Sequence, residues 1–190
     1  MDDVERRVRQ AFGEVHRRDF LHEDQKANAD LDQALPIGHR QTNSQPRTVA
    51  NMLILLDAKE GQRVLDVGSG SGWTTALLGF LVGPKGEVLG VELVPELVEW
   101  SRENLRGYEM PWTSIHQAEE GRLGLPEQGP FDRILVSAEA EDLPRTLVEQ
   151  LAVGGVMVAP VAGRLLHVER RSPDDIQVSR HGHYAFVPLR

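Results

Sequence analysis

The chain contains no cysteine. This absence excludes disulfide bonds, thiolate metal ligands and cysteine nucleophiles together, and it suits a reducing compartment. Long hydrophobic runs are missing as well: the longest, residues 76–82, is far too short to cross a bilayer, and residues 1–7 lack the apolar stretch of a secretory signal. We therefore expect a cytoplasmic protein with no membrane partner.

Positive charge is scarce. The chain has 21 basic and 29 acidic residues, a formal net charge of −8, and the excess of acid lies in the middle of the chain, residues 61–163. Enzymes that act on DNA or RNA usually carry a basic surface, so no nucleic-acid partner is expected.

Two further signatures are missing. No Ser/His/Asp pattern with a nucleophile elbow occurs, which disfavours a hydrolase. The pair His181 and His183 has no third ligand at a metal-binding spacing, so a solvated strand is the better interpretation and no metal site is expected.

Hydrophobic periodicity predicts strands that alternate with helices from residue 63 onwards. The predicted strands are 63–67, 87–92, 113–116, 131–136 and 155–161, with strand-like pieces at 165–169 and 184–189. The predicted helices are one over Val4 to Val15, one that begins at Gln45, and 73–82, 95–105 and 144–151.

This order of elements predicts an α/β protein with a doubly wound, mostly parallel sheet and helices on both faces. The last strands follow one another without helices, so we expect an antiparallel C-terminal edge. At 190 residues the chain suits one domain. Within it we expect an N-terminal helix and substrate-side loop (1–43), a cofactor-binding α/β core (44–163) and C-terminal strands (164–190).

Residues 19–40 show no periodicity. A connection of this length in a compact domain is uncommon and is often a lid or a binding loop, although solvated disorder is an equal alternative. Immediately after it, Ser44 and Pro46 predict a helix start with a hydroxyl cap and a proline in the first turn.

The chemical centre of the sequence is residues 64–72, a short strand that runs into a glycine loop. Such a loop lies at the carboxyl end of a strand, where open α/β sheets bind nucleotides. The spacing is G-x-G-x-G, however: Trp73 occupies the last glycine position of the dinucleotide fingerprint, and no lysine follows as a phosphate loop requires. Both phosphate-binding interpretations are therefore weakened.

Two acids refine this interpretation. Glu92 ends the second strand, where a carboxylate can accept hydrogen bonds from ribose hydroxyls. Asp66 precedes the glycines, where it would repel a pyrophosphate but would suit a cation. S-adenosylmethionine has a ribose, an ammonium and a sulfonium and no phosphate, and residues 119–121 could meet its adenine amino group. The alternative is that both acids are solvated strand ends and the glycines form only a turn.

Several segments resemble the protein-L-isoaspartate O-methyltransferase family. They are residues 33–38, 41–46, 64–72, 129–132, 144–155 and 186–189, of which the T-x-S-Q-P and F-V-P-L stretches are the most specific. The resemblance implies the Rossmann-like class I methyltransferase fold. It also implies methyl transfer from S-adenosylmethionine, with S-adenosylhomocysteine as product, to the α-carboxylate of L-isoaspartyl residues in damaged proteins or peptides. The ester then cyclises to a succinimide, which hydrolyses in part to aspartate.

The resemblance also implies roles for particular residues. Ser44 would be the active-site serine that contacts the substrate carboxylate; a helix cap is its alternative role. The residues expected at the cofactor are Thr42, Asn43, Asp66, Gly68, Ser69, Gly70, Gly72, Glu92, Leu93, Glu120 and Gly121. The residues expected on the substrate side are Arg40, Gln45, Ser137 and Glu139. We expect the protein to act as a monomer.

Several positions depart from the family pattern, and three of them leave the substrate open. The family favours a small or neutral residue at Arg40, an apolar one at Asn43 and alanine at Glu139. Arg40 could bind a peptide carboxylate, pair with Glu139 and narrow the mouth of the site, or have no role. Two further hypotheses therefore stand beside isoaspartyl repair: a divergent enzyme that methylates another peptide carboxylate or a small molecule, and a non-catalytic S-adenosylmethionine-binding module.

Overall fold

The computed structural model describes residues 2–190, in which helices cover a central seven-stranded sheet. The helices are α1 (Asp3–Glu14), α2 (Pro46–Leu56), α3 (Trp73–Val82), α4 (Pro95–Leu105) and α5 (Arg145–Val148). The strands are β1 (Leu35–Pro36), β2 (Thr42–Asn43), β3 (Arg63–Val67), β4 (Glu87–Glu92), β5 (Thr113–Gln117), β6 (Phe131–Val136), β7 (Leu151–Val161), β8 (Arg164–Ser172) and β9 (Asp175–His183). None of the helices described is long and apolar enough to span a membrane.

The large sheet has the order β5-β4-β3-β6-β7-β8-β9. Strands β3 to β7 pair in parallel, whereas β8 and β9 pair antiparallel, so the predicted antiparallel C-terminal edge is confirmed. Successive residues of β3 point to opposite faces: Val64 packs with α1 to α4, and Leu65 packs with α5 and the segment 118–125. The expected doubly wound α/β architecture is therefore present.

Two predictions about element bounds were wrong. The last strand is Asp175–His183, and residues 184–190 belong to no strand and form a single bridge, between Pro188 and Glu139. Strand β9 was missed because hydrogen bonds to β8 hold it in place and polar residues dominate its sequence. The helix predicted over 144–151 is one turn, because Leu151 already pairs with Phe131 at the start of β7.

Four buried side chains anchor the segment 19–40, whose other residues are mostly exposed. Two short 3₁₀ helices, Arg17–Phe20 and Glu23–Asn28, lead into the β1–β2 hairpin. Leu21, Leu35 and Ile37 are buried together with Leu97 of α4. Solvated disorder was therefore the wrong alternative: the apolar residues are present, but no regular period reveals them.

We expect Gly90→Ala to destabilise the fold, because Gly90 lies on β4 directly below the glycine loop. A Cβ atom at this position would lie 2.5 Å from Cδ1 of Ile115 and 2.8 Å from Oγ1 of Thr75. Overpacking of this kind typically costs about 1–3 kcal/mol in the free energy of unfolding. The measurement is urea denaturation.

Gly13→Ala is the matched control, since a Cβ there would meet no atom within 4 Å. Alanine in a helix is favoured over glycine by up to about 1 kcal/mol, so this variant should be as stable as the parent or slightly more stable. Equal stability of the Gly90 variant and the parent would contradict the packing described here.

Candidate cofactor and substrate site

The glycine loop between β3 and α3 lies at the carboxyl edge of the sheet. Gly68, Gly70 and Gly72 have φ angles of +78°, +54° and +91°, which side chains rarely tolerate, so the backbone path requires glycine. The amides of Gly68 and Ser69 both donate to the carbonyl of Val91, which fixes the loop above β4.

A cavity that is partly open to solvent lies against this loop. The predicted site residues that line it are Thr42, Asn43, Ser44, Gly68, Ser69, Gly70, Glu92, Leu93 and Ser137. The predicted residues that do not line it are Arg40, Gln45, Asp66, Gly72, Glu120, Gly121 and Glu139. The loop, the strand-end acid and the T-x-S segment therefore do converge.

Glu92 is 7% exposed and lies in the wall of the cavity. One carboxylate oxygen accepts from the amide of Gly70 and the other from the amide of Val94, both at 2.9 Å. These bonds fix the orientation of the carboxylate. Each oxygen has a second acceptor direction, so the group can also accept hydrogen bonds from ligand hydroxyls.

Asp66 lies beneath the loop, and the prediction that it faces a ligand directly was wrong. It is fully buried, and Oδ2 accepts from the hydroxyls of Thr74 and Thr75 at 2.7 Å each. Oδ1 has no partner. Burial raises the pKa of Asp66 to about 6, and the nearby charge of Glu92 adds to the rise. Asp66 is thus part of the support of α3.

Asn43 lines the cavity, but both ends of its side-chain amide are already engaged. Oδ1 accepts from Nε of Arg17 at 2.7 Å, and Nδ2 donates to Oγ of Ser71 at 3.2 Å. Asn43 therefore connects the N-terminal segment to the glycine loop, a position that explains why a polar residue is stable there at 4% exposure.

Arg17 is buried and makes six hydrogen bonds. Besides Asn43 Oδ1, its guanidinium donates to five backbone carbonyls, those of Ala29, Leu31, Gln33, Asn43 and Ser44. It also lies over the ring of Trp73, at 5.4 Å from its centroid. Desolvation lowers the pKa of Arg17 to about 10, so the group stays charged at neutral pH. No pattern in the sequence indicates this role, since Arg17 is one of several arginines near the N-terminus.

At the end of the cavity that follows β5, the lining residues differ from the predicted pair Glu120 and Gly121. Glu120 is exposed and Gly121 lies outside the cavity, whose wall is formed instead by Ala118, Arg122, Leu123 and Gly124. The buried amide of Gln150 holds this segment: it accepts from the amide of Leu125 and donates to the carbonyl of Leu123.

A second cavity lies beside the first. It is lined by Gln45, by the first turns of α2 and by residues 182–187. The two cavities share Thr42, Ser44, Ser137 and Val187, so these four residues lie at their junction. Gln45 thus lines the second cavity and Ser137 lies at the junction, and their role on the substrate side stays a prediction.

The prediction that Ser44 caps α2 was wrong. The helix begins at Pro46 and Gln45 is its N-cap residue, while the carboxylate of Asp32 accepts from the amide of Arg47 at 2.9 Å. The Ser44 carbonyl accepts from Arg17, and within residues 2–190 no hydrogen bond engages the Ser44 hydroxyl. The hydroxyl is therefore available to a ligand.

Arg40 and Glu139 are not placed at the cavities, and they do not pair with each other. Arg40 is exposed in the tight turn of the β1–β2 hairpin, with φ of +60°. Glu139 points inward, and its two carboxylate oxygens accept from the backbone amides of Gly163 and Phe186. Among the described residues no group of three or more His, Cys, Asp or Glu side chains is arranged to hold a metal ion.

A model of the protein-L-isoaspartate(D-aspartate) O-methyltransferase family matches residues 3–190. The chain belongs to this family. Protein-L-isoaspartate O-methyltransferases from Methanopyrus kandleri and Methanothrix thermoacetophila are 44% and 46% identical to it over 189 residues, which is 96% and 98% of this chain and 83% and 89% of those proteins.

A solved structure from Plasmodium falciparum supports the same assignment. That protein, described as a protein-L-isoaspartate O-methyltransferase in complex with S-adenosyl-L-homocysteine, superposes with a TM-score of 0.87 at 28% identity. The match covers all of this chain and 91% of the other. The Rossmann-like class I methyltransferase fold expected from the sequence is thereby confirmed.

We expect Asp66→Asn to remove a pH effect on stability. The folded chain retains the Asp66 proton up to about pH 6, whereas the unfolded chain loses it near the ordinary value of 3.8. The folded state therefore binds more protons between these values, and this group makes the parent less stable as pH rises. The stability of Asp66→Asn relative to the parent should increase by up to about 3 kcal/mol between pH 4 and pH 7.

Urea denaturation at several pH values measures this difference. Asp30→Asn, at an exposed position, controls for the simple loss of a negative charge. A relative stability of the Asp66 variant that falls with pH would mean that the buried carboxyl is stabilised in its ionised form.

We expect Arg17→Lys to destabilise the protein by at least about 2 kcal/mol, because one ammonium group cannot reach six acceptors and buried carbonyls would lose their partners. Arg18→Lys, at the exposed neighbouring position, should stay within about 0.5 kcal/mol of the parent. Chemical denaturation measures both, and equal losses in the two variants would contradict the role assigned to Arg17.

Proposed function

We propose that the protein transfers a methyl group from S-adenosylmethionine to the α-carboxylate of L-isoaspartyl residues in damaged proteins or peptides. Membership of the family supports this activity, and the observation in this chain that carries it is the junction of two cavities at Ser44. One cavity suits a nucleoside and the other is open to a peptide, and a hydroxyl without an internal partner lies where they meet.

The first cavity fits S-adenosylmethionine. The carboxylate of Glu92, held by two loop amides, can accept from ribose hydroxyls, and the negative charge would repel a pyrophosphate. Ser69 lines the cavity and is 4% exposed, and its buried hydroxyl has no partner, so it offers a further hydrogen bond to a ligand. Thr42, Leu93 and the backbone of Gly68 and Gly70 would complete the cofactor contacts. When bound, the cofactor supplies a methyl group that its sulfonium already activates.

The remaining chemistry requires little of the protein. A carboxylate is ionised at neutral pH, so no general base is needed to generate the nucleophile. The Ser44 hydroxyl can donate to one substrate oxygen and hold the other in line, because its own carbonyl is fixed by Arg17. Residues 187–190 form one wall of the cofactor cavity and help to exclude water.

The substrate lies, in this proposal, in the second cavity. Its lining includes Gln45 and Ser137, which were predicted on the substrate side, together with Arg47, Asn51 and Tyr184. Arg40 is not among these residues and has no part in the proposal. The three segments expected from the sequence do not separate the two cavities: residues of 44–163 line both, Thr42 of the first segment lies at their junction, and residues of 164–190 contribute to both walls.

The decisive experiment compares an isoaspartyl peptide with its aspartyl twin. The purified protein should transfer a radiolabelled methyl group from S-adenosylmethionine to the first peptide and not to the second. Cofactor binding without transfer to either peptide would favour a binding module, and transfer to both would favour a different carboxylate substrate. No heat of cofactor binding in calorimetry would remove the premise of all three hypotheses.

We expect Ser44→Ala to lower kcat/KM for the isoaspartyl peptide about 10- to 100-fold, the effect of losing one hydrogen bond to a charged group. The dissociation constant of S-adenosylhomocysteine should change less than about threefold, since the cofactor contacts come from other residues. Unchanged turnover would remove Ser44 from the site.

A further inference from the structure

Residues 184–190 form a wall of both cavities without belonging to a strand of the sheet. Val187 lines both cavities, Tyr184 and Phe186 line only the substrate-side one, and Leu189 lines only the cofactor side. The position of this tail therefore affects the width of both openings. What holds it in place is not regular secondary structure but contacts with residues from other parts of the chain.

Glu139 supplies most of these contacts. Its backbone amide donates to the carbonyl of Val187 and its carbonyl accepts from the amide of Leu189, both at 2.8 Å. Its carboxylate accepts from the amide of Phe186 at 3.3 Å and from the amide of Gly163 at 2.8 Å. The same turn at Gly163 accepts from the amide of Tyr184 at 3.1 Å. One side chain thus joins the loop after β6, the β7–β8 turn and the tail.

The backbone and side-chain contacts of Glu139 act on different ends of the tail. The backbone bonds fix Val187 and Leu189, next to the cofactor cavity, and any residue at position 139 could make them. The carboxylate bonds fix Phe186 and, through the turn at Gly163, Tyr184, which both lie in the wall of the substrate-side cavity. Loss of the carboxylate should therefore loosen the substrate side more than the cofactor side.

We propose that Glu139 is a positioning residue for substrate recognition: its carboxylate holds the tail so that the substrate-side cavity keeps the width required by the peptide. The proposal rests on the function proposed above. It differs from the prediction made from the sequence, in which Glu139 contacts the substrate itself. The hydroxyl of Tyr184 accepts from Nδ2 of Asn51 at 3.1 Å, which anchors the same part of the tail to α2.

The test uses Glu139→Ala and Glu139→Gln in the full chain. Glu141→Ala, two residues further along the same loop and exposed, is the matched control for the lost charge. Three quantities are measured: hydrogen exchange of the Gly163 and Phe186 amides without ligands, the dissociation constant of S-adenosylhomocysteine, and KM and kcat with an isoaspartyl peptide.

In Glu139→Ala both amides should exchange faster, and KM for the peptide should rise about tenfold, as expected for the loss of hydrogen bonds to a charged group. The cofactor dissociation constant and kcat should each stay within about threefold of the parent. Glutamine retains one side-chain acceptor oxygen, so Glu139→Gln should give intermediate values for exchange and KM. Glu141→Ala should match the parent in every measurement.

Two results would overturn the proposal. In one, Glu139→Ala exchanges faster at both amides but leaves KM unchanged. In the other, KM, kcat and cofactor binding deteriorate together and Glu139→Gln restores none of them, which would indicate a general structural role. Failure of the proposed function is separate: the parent protein would then not methylate the isoaspartyl peptide, while amide exchange in the absence of ligands would still report the contacts of Glu139.

Discussion

The guanidinium of Arg17 is the contact on which the substrate side of the molecule depends. Residues 29–44 have little regular structure, and their backbone carbonyls need partners when they are buried. Arg17 provides six hydrogen bonds from a single planar group, five of them to carbonyls of this segment. The loop can therefore pass beside the site in one defined path, and it carries Ser44 with it.

The backbone around the cofactor cavity is held by glycine conformations and by buried carboxylates. Three glycines with positive φ bring the loop backbone to the cavity, and the carboxylate of Glu92 fixes both the loop and the start of α4 by accepting from Gly70 and Val94. Asp66 supports the start of α3, directly after this loop, by accepting from Thr74 and Thr75, and its other oxygen has no partner. Acidic groups near the cavity thus have two different functions, one structural and one suited to a ligand.

Two of the three departures from the family pattern that bear on the substrate serve internal contacts. Asn43 joins Arg17 to Ser71, and Glu139 joins the tail to the β7–β8 turn. The third, Arg40, is exposed in a hairpin turn. None of the three side chains offers a polar group to the substrate-side cavity, so the departures alter how the walls are held and do not argue against a carboxylate substrate.

The sequence alone determined the α/β fold, the glycine loop and the strand-end position of Glu92, because hydrophobic periodicity and backbone-conformation requirements are local properties of the chain. It also placed Ser44 at the site, through a specific resemblance. Only the tertiary structure decided which polar atoms are already used. Asn43 and Glu139 carry side chains that could contact a ligand, yet both already have partners within the chain. One partner of Asn43 lies 26 residues away, and those of Glu139 lie 24 and 47 residues away. Strand β9 and the buried Arg17 depend in the same way on distant partners, and such pairing leaves no periodic signal in one sequence.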